Sequence, residues 1–376
     1  MPTRASASLR TWGLALIFIL MIDAALTRTP VLWSDAVLVD RRDGEQVFVQ
    51  THHALRVIYA RDAQVAHPVA LIGNSRLLLA TRPRSLEREL DRLAPELAAP
   101  VEQLAIFGAG PVTVERLSRH LDRLEPRLIV LAINGADLSI AADWQMESPA
   151  YRLLSIGWSD GPVTPQSWSR RADRWLRTVW RLWRFRELTR AALEERVWPP
   201  PPAAPMPERF RSTQELFAFA RGPARAVEIE AAYRRWREEP SLERFVQYLE
   251  IGHPRHLRDV RERASVQPRP VDLETNARAL DAVLATGHRQ GWPLLVVLLP
   301  ENPLFELDRK GELHRPGLSE RGASRIREIA ARYGIDVVDA RRWLPAESFM
   351  DLDHLLYDLG GFEPLLAREI RNALTG

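Results

Sequence analysis

The chain has 376 residues, of which 46% are hydrophobic, and its 52 basic and 49 acidic residues leave a formal net charge of +3. This length fits one α/β domain with an insertion, and the composition excludes a disordered chain. The balanced charge offers no basic surface, so we expect no nucleic-acid partner. The lack of cysteine excludes disulfides, thiolate metal sites and cysteine nucleophiles, but it leaves export open.

The N-terminus carries a segment typical of export. Arg4 and Arg10 precede an apolar run over residues 12–22, which is the pattern of a secretory signal. It predicts a membrane segment within residues 1–28. If the segment is an uncleaved signal anchor, the protein lies at the periplasmic face of the cytoplasmic membrane; if it is cleaved, the protein is periplasmic or secreted. The alternative is a buried helix of a soluble protein.

From about Leu55 the sequence alternates between strand-like and helix-like segments. Apolar runs predict five strands, at residues 69–73, 103–107, 128–133, 294–299 and 335–338. Helical patterns cover residues 77–97 with a break at Pro83, and residues 112–124, 319–333 and 363–374. Continuous apolar strands separated by helices predict a three-layer α/β fold with a parallel five-stranded sheet. Ligands of such sheets bind beyond the carboxyl ends of the strands.

A long segment without predicted strands separates the third predicted strand from the fourth. Residues 140–275 are rich in Trp, Arg and Pro, and they predict a helical insertion with helices near 170–196 and 213–263. Trp175, Trp180 and Trp183 fall at helical spacing among arginines. This face either packs on the α/β core or lies on a membrane or a partner. The insertion divides the α/β domain into residues 29–139 and 276–376.

A serine follows the first predicted strand, in the sequence Gly73-Asn74-Ser75-Arg76. At a strand-to-helix turn its hydroxyl is exposed above the sheet edge. Its backbone N–H, at the start of the helix, can stabilise an oxyanion. The alternative is a serine that only caps the helix.

The second motif lies near the C-terminus, where Asp351 precedes His354 by three residues. At this spacing the carboxylate can reach the imidazole and fix its tautomer. The alternative is a solvated acidic turn with an exposed histidine. Together the two motifs predict a nucleophile, a base and an orienting acid at the first and last strand ends, in the order Ser, Asp, His.

The two motifs resemble those of the SGNH (GDSL-like) hydrolase superfamily. Gly108, after the second strand, matches the second block of the family, and the resemblance covers roughly residues 66–138 and 290–374. It implies a flavodoxin-like fold with Ser75 as nucleophile, His354 as base and Asp351 as its partner. It also implies an oxyanion hole that includes the backbone N–H groups of Ser75 and Gly108, although Gly110 also fits the second position. No metal or organic cofactor is implied.

The third block departs from the family pattern of Gly-x-Asn-Asp. Here the sequence is Ile133-Asn134-Gly135-Ala136-Asp137. If Asp137 matches the family aspartate, Ala136 stands where the asparagine is expected. If Asn134 supplies the oxyanion contact, the loop is displaced by two residues. Losing one such donor costs about 3 to 4 kcal/mol of barrier. Asn74 and Arg76, which flank the serine, are further candidates for shaping the pocket.

Within the superfamily, the layout is most similar to membrane-linked envelope proteins, the alginate O-acetyltransferase-like proteins and the DltD-like proteins of teichoic acid D-alanylation. The resemblance implies a serine acyl esterase or O-acyltransferase that acts on a surface polysaccharide or acyl ester, beside a multi-pass membrane acyltransferase. Two other functions remain open. One is a non-catalytic assembly factor on the same scaffold, and the other is a lipase or thioesterase.

Overall fold

The computed structural model describes residues 67–97, 99–155, 223–252, 269–303, 316–350 and 361–375 of the chain. It also describes residues 254, 354 and 355 and single positions within 14–21 and 50–58. Five strands are β1 (Val69–Ile72), β2 (Val101–Gln103), β3 (Leu128–Ile133), β4 (Leu294–Leu298) and β5 (Val337–Asp339).

The first five helices described after β1 are α1 (Ser75–Ala80), α2 (Pro83–Leu93), α3 (Pro111–Ser118), and, within the predicted insertion, α4 (Ala142–Glu147) and α5 (Pro149–Leu154). Those that follow are α6 (Pro223–Glu238), α7 (Leu242–Gly252), α8 (Pro270–Gln290), α9 (Pro316–Ala331) and α10 (Phe362–Thr375). Prolines at their first turns start α2, α3 and α8, because the fixed φ of proline suits this position and its missing N–H has no intrahelical partner there.

All four strand pairings are parallel, and the strand order is β2-β1-β3-β4-β5. This order is that of flavodoxin-like doubly wound sheets. The predicted α/β class with a five-stranded parallel sheet is therefore confirmed. In this order β1 and β3 are central neighbours, so the turns that follow them lie side by side at the carboxyl edge of the sheet.

Helices cover both faces of the sheet, because alternate residues of each strand enter different apolar layers. Ile72, Ile133 and Leu298 belong to one buried cluster. Leu71, Val130 and Val297 belong to the other. This two-sided burial explains why the strands read as continuous apolar runs in the sequence.

The second strand differs from its prediction at residues 103–107. The ladder with β1 covers Val101–Gln103. Leu104 and Ile106 still donate backbone hydrogen bonds to β1 and the residue after it, from Leu104 N to Leu71 O at 2.8 Å and from Ile106 N to Gly73 O at 3.1 Å. The apolar run is thus buried beside the end of β1, but it already turns away from strand geometry towards α3.

Within the predicted insertion, residues 223–252 form a helical hairpin of α6 and α7 with an aromatic core. Its buried side chains include Tyr233, Trp236, Phe245 and Tyr248, and they pack together with Leu79, Ala346 and Met350 of the α/β domain. The hairpin therefore packs directly on the domain that it interrupts. The following helix, α8, begins at Pro270.

The predicted membrane segment and the Trp-Arg helix of residues 170–196 fall largely or wholly outside the described residues. Leu14, Ile17, Phe18 and Met21 are described, in helical conformation and with exposed side chains. Among the described residues, no helix combines the length and the apolar character needed to span a bilayer.

Candidate functional site

Ser75 is the first residue of α1, directly after the turn that ends β1. The preceding Asn74 caps the helix, because its Oδ1 accepts a hydrogen bond from Arg76 N at 3.0 Å. A Cβ on Gly73 would lie 2.8 Å from the carbonyl oxygen of Ala132 on β3. Glycine is required there for the chain to pass so close to its neighbour, and this fixes the place where the half-buried Ser75 leaves the sheet.

His354 follows β5 in the chain and takes part in a backbone pairing of Phe349 and Met350 with His354 and Leu355, which we call the His354 hairpin. Met350 N donates to His354 O at 2.8 Å, and Phe349 and Leu355 form an antiparallel bridge around the same turn. Phe349 and Leu355 are both buried. Both arms of the His354 hairpin are thus anchored in the core, and His354 directly precedes the anchor Leu355 on the second arm.

The structure brings Ser75 and His354 together. The imidazole Nε2 lies 2.8 Å from Ser75 Oγ, although 279 residues separate the two in the sequence. This distance is ordinary for a hydrogen bond. With the ring proton on Nδ1, the serine hydroxyl donates to Nε2, which is the arrangement in which a histidine removes the proton of a nucleophile.

The third member of the predicted triad, Asp351, falls outside the described residues, so its contact with His354 stays a prediction. Met350, its neighbour in the sequence, is described and is bound through its backbone to His354.

Asp137, from the third block, joins this block to the turn of Ser75. Its carboxylate accepts a hydrogen bond from Asn74 Nδ2 at 3.0 Å and one from Arg76 Nη1 at 2.7 Å. It also accepts from Asn134 N at 2.8 Å. The Asp137 side chain is 4% exposed and that of Arg76 is 17% exposed. Both residues that flank Ser75 are thereby tied to one buried carboxylate.

Asn134 caps the short 3₁₀ turn Gly135–Ser139, in which Asp137 lies. Its Oδ1 accepts from Ala136 N at 2.9 Å, and Asn134 and Asp137 form a reciprocal capping box. The amide oxygen of Asn134 is thus engaged within its own turn. Its predicted role as an oxyanion donor would fall to the amide nitrogen, and that role stays a prediction.

Gly108 and Gly110 differ in a way that the sequence did not indicate. Gly108 has a φ of +68°, and a Cβ there would lie 2.7 Å from the Trp144 ring. Gly110 has an ordinary φ of −107°, but a Cβ on it would lie 2.5 Å from the Gln145 side chain. Gly108 therefore has the left-handed backbone of a sharp turn, whereas Gly110 makes room for Gln145 at the start of α3.

Gln145 and Asn276 form a buried polar pair that hydrogen-bonds to the start of α3 and to the third-block turn. Gln145 Oε1 accepts from Val112 N at 3.1 Å, and its Nε2 donates to Asn276 Oδ1 at 2.8 Å. Asn276 in turn donates to the carbonyl of Leu138 at 3.0 Å. This pair joins α3, α8 and the third-block turn. Sequence reasoning missed it, since amides spaced so far apart give no local pattern.

Trp144 is an exposed aromatic residue beside the Gly108 turn. It lies on α4, contacts the Gly108 turn and is 55% exposed. Sequence reasoning also missed this residue, because it lies outside the segments that carry the motifs.

Within the part of the chain that is described, no cluster of three acidic or histidine side chains is arranged to hold a metal ion. No protein-family model matches the chain, and no curated protein is significantly similar to it. The chain is an α/β protein with a parallel five-stranded sheet in flavodoxin-like strand order, and because one such fold supports many activities, its activity has to be inferred from the site itself.

Proposed function

We propose that the protein is a serine acyl esterase or O-acyltransferase of the SGNH type, acting on acyl groups of a cell-envelope polysaccharide. The observation that carries the proposal is the 2.8 Å contact between Ser75 Oγ and His354 Nε2 at the carboxyl edge of the sheet. A hydroxyl and an imidazole from opposite ends of the chain meet where doubly wound sheets bind their ligands.

The reaction would proceed in two halves. Ser75 Oγ attacks the carbonyl carbon of an ester while its proton passes to His354 Nε2, and the tetrahedral intermediate collapses as the leaving alcohol takes that proton. The acyl group then remains on Ser75. Water or a sugar hydroxyl gives its proton to Nε2 and attacks the acyl carbon, and as the acyl–Oγ bond breaks Ser75 Oγ takes the proton back from Nε2. The predicted role of Asp351 is to hold the imidazole in the reactive tautomer.

The oxyanion contacts would come from backbone N–H groups. Ser75 N is at the first position of α1, where N–H groups have no intrahelical partner. The left-handed turn at Gly108 follows directly after the segment that pairs with Gly73. These two features support the oxyanion hole implied by the family resemblance, and Asn134 is the candidate for a third donor.

Location at the membrane is part of the proposal. Arg4 and Arg10 precede the apolar N-terminal run, and its described residues Leu14, Ile17, Phe18 and Met21 leave large apolar side chains exposed. A contiguous exposed apolar patch is typical of a surface that a membrane or a partner covers. An N-terminal anchor would keep the site at the periplasmic face, beside a membrane-bound acyl donor.

Labelling with a fluorophosphonate tests the nucleophile. The probe forms a bond to Ser75 Oγ and loses fluoride, so peptide mass analysis identifies the modified residue. We expect labelling in the wild type and in the matched control Ser324→Ala, whose serine is exposed on α9, and none in Ser75→Ala. Hydrolysis of p-nitrophenyl acetate should fall in Ser75→Ala by about 10⁶-fold.

Labelling that persists in Ser75→Ala would overturn the assignment. A wild type that is not labelled, together with full complementation by Ser75→Ala, would instead favour a non-catalytic assembly factor. Faster turnover of long-chain than of acetyl p-nitrophenyl esters would indicate a lipase or thioesterase. The partition between release of acetate and transfer to an added oligosaccharide separates the esterase from the transferase.

A further inference from the structure

The α6–α7 hairpin packs against the segment that leads into the histidine hairpin. Ala346 and Met350, from this segment, are buried in the same cluster as the aromatic side chains of α6 and α7. The insertion thus contacts the α/β domain within a few residues of His354, and it does so through its most completely buried side chains.

A hydrogen bond connects the α6–α7 hairpin to the His354 hairpin at Met350. The Tyr248 hydroxyl donates to the carbonyl oxygen of Met350, and the N–H of the same Met350 donates to His354 O at 2.8 Å. Both backbone polar groups of Met350 are therefore engaged, one with the insertion and one with the histidine. Met350 also directly precedes Asp351 in the sequence.

The aromatic core holds Tyr248 in one orientation. Its ring stacks on Trp236 with an interplanar angle of 5° and a centroid distance of 5.9 Å, and it contacts Tyr233 at 5.3 Å. The Tyr248 side chain is fully buried. Because close packing leaves so large a ring little freedom, its hydroxyl is fixed in place and can act as a rigid support for the Met350 carbonyl.

We propose that Tyr248 is a positioning residue for catalysis: through Met350 it holds the His354 hairpin at hydrogen-bonding distance from Ser75. The inference rests on the proposed function of Ser75 and His354. It gives the insertion a specific task, since a residue 173 positions after the nucleophile in the sequence sets the place of the base. Displacements of about 1 Å at a catalytic group cost up to about a hundredfold in rate.

Tyr233 provides a matched control within the same cluster. Its hydroxyl donates to the carbonyl of Glu347 at 3.4 Å, which is a long contact to a residue that is not part of the hairpin. Tyr248→Phe and Tyr233→Phe each remove one hydroxyl and keep the ring in the aromatic core, but they differ in their link to His354.

The first measurement compares kcat, KM and melting temperature of the two variants with p-nitrophenyl acetate. We expect Tyr248→Phe to lower kcat and the rate of fluorophosphonate labelling about 10- to 100-fold, with KM nearly unchanged. Tyr233→Phe should keep both rates within about twofold. Equal losses in both variants, in proportion to their melting temperatures, would reduce Tyr248 to a purely structural residue and overturn the proposal.

The second measurement does not depend on activity. In protein with ¹³C-labelled histidine, the His354 ring signal is assigned by its loss in His354→Gln. We expect this signal and its pH titration to change in Tyr248→Phe and not in Tyr233→Phe. An unchanged signal overturns the positioning role even if Ser75 is labelled. A changed signal in a protein whose Ser75 is never labelled keeps the positioning role and rejects the proposed function instead.

Discussion

The turn that holds Ser75 and the hairpin that holds His354 meet at 2.8 Å, yet different interactions stabilise them. The Ser75 turn depends on a buried carboxylate, since Asp137 binds both Asn74 and Arg76. The His354 hairpin depends on backbone pairing and on an aromatic cluster from the insertion. The nucleophile is thus fixed by polar contacts within the sheet edge, and the base by packing against a distant part of the chain.

Because of this difference, we expect substitutions in the Ser75 turn and in the His354 hairpin to have different effects on stability and activity. Loss of one partner of a buried ion pair strongly destabilises the protein, because the remaining charge is buried away from solvent. Aromatic packing keeps most of its stability when one polar atom is removed, but the position of the packed segment can shift. Changes at the Ser75 turn should therefore lower stability, whereas changes at the His354 hairpin should lower activity at nearly constant stability.

The largest expected effect is on activity, from His354→Gln. This change removes the group that accepts the Ser75 proton and leaves the backbone bond from Met350 N to His354 O in place. We expect kcat to fall by about 10⁴-fold or more, with a free energy of unfolding within about 1 kcal/mol of the wild type. The exposed His288 on α8 supplies the control, His288→Gln. Equal activity in the two variants would separate His354 from the chemistry.

Asp137→Ala tests the other side of the comparison. It removes the carboxylate that accepts from the guanidinium of Arg76, which is 17% exposed, from Asn74 Nδ2 and from Asn134 N. We expect a loss of about 3 to 5 kcal/mol in the free energy of unfolding, measured by urea denaturation. Asp122→Ala, at an exposed position, should change it by less than about 0.5 kcal/mol. Similar values for both variants would show that the carboxylate does not stabilise the Ser75 turn.

A smaller and more selective effect is expected from Trp144→Ala. The ring is 55% exposed and contacts Gly108, so it offers an apolar face at the edge of the proposed oxyanion site. We expect KM for an O-acetylated polysaccharide to rise about tenfold and the kinetics with p-nitrophenyl acetate to stay unchanged. Val227→Ala, which truncates an exposed side chain of α6, is the control. A parallel rise for the small ester would contradict a role in binding the polymer.

The smallest effect concerns Asp339, at the end of β5. Hydrogen bonding to Arg341 lowers the pKa of this carboxyl from 3.8 to about 2. A lowered folded-state pKa means that the charged form stabilises the protein above pH 4 or so, and that this contribution disappears as the pH falls from about 4 to about 2. Because the side chain is 37% exposed, solvent screening keeps the contribution below about 1 kcal/mol.

Asp339→Asn should remove this part of the acid dependence. Urea unfolding of both proteins at about pH 6 and about pH 2.5 should give a smaller difference between the two pH values for the variant. The same difference in both proteins would show that the ion pair contributes nothing. Catalysis should be unaffected, since the pair belongs to neither the Ser75 turn nor the His354 hairpin.

The strands of the sheet could be predicted from the sequence because burial on both faces requires a continuous run of apolar residues. The predicted third strand, residues 128–133, coincides with β3, since every residue of this strand is buried. The second strand was displaced, because the apolar run at Leu104 and Ile106 is buried beside β1 without extending the ladder. An apolar run indicates that a segment is buried, but it does not by itself distinguish a strand from the turn that follows it.

The residue types at strand ends also allowed Ser75 and His354 to be selected from the sequence alone, because parallel strands bring their carboxyl ends to one edge. Their 2.8 Å contact is a property of the tertiary structure. So are the convergence of Asn74 and Arg76 on Asp137 and the bond from Tyr248 to Met350. Burial and periodicity can be predicted from residues that are neighbours in the sequence. A hydrogen bond between distant residues forms only when the packed layers have fixed the direction of both side chains, so it cannot be predicted in this way.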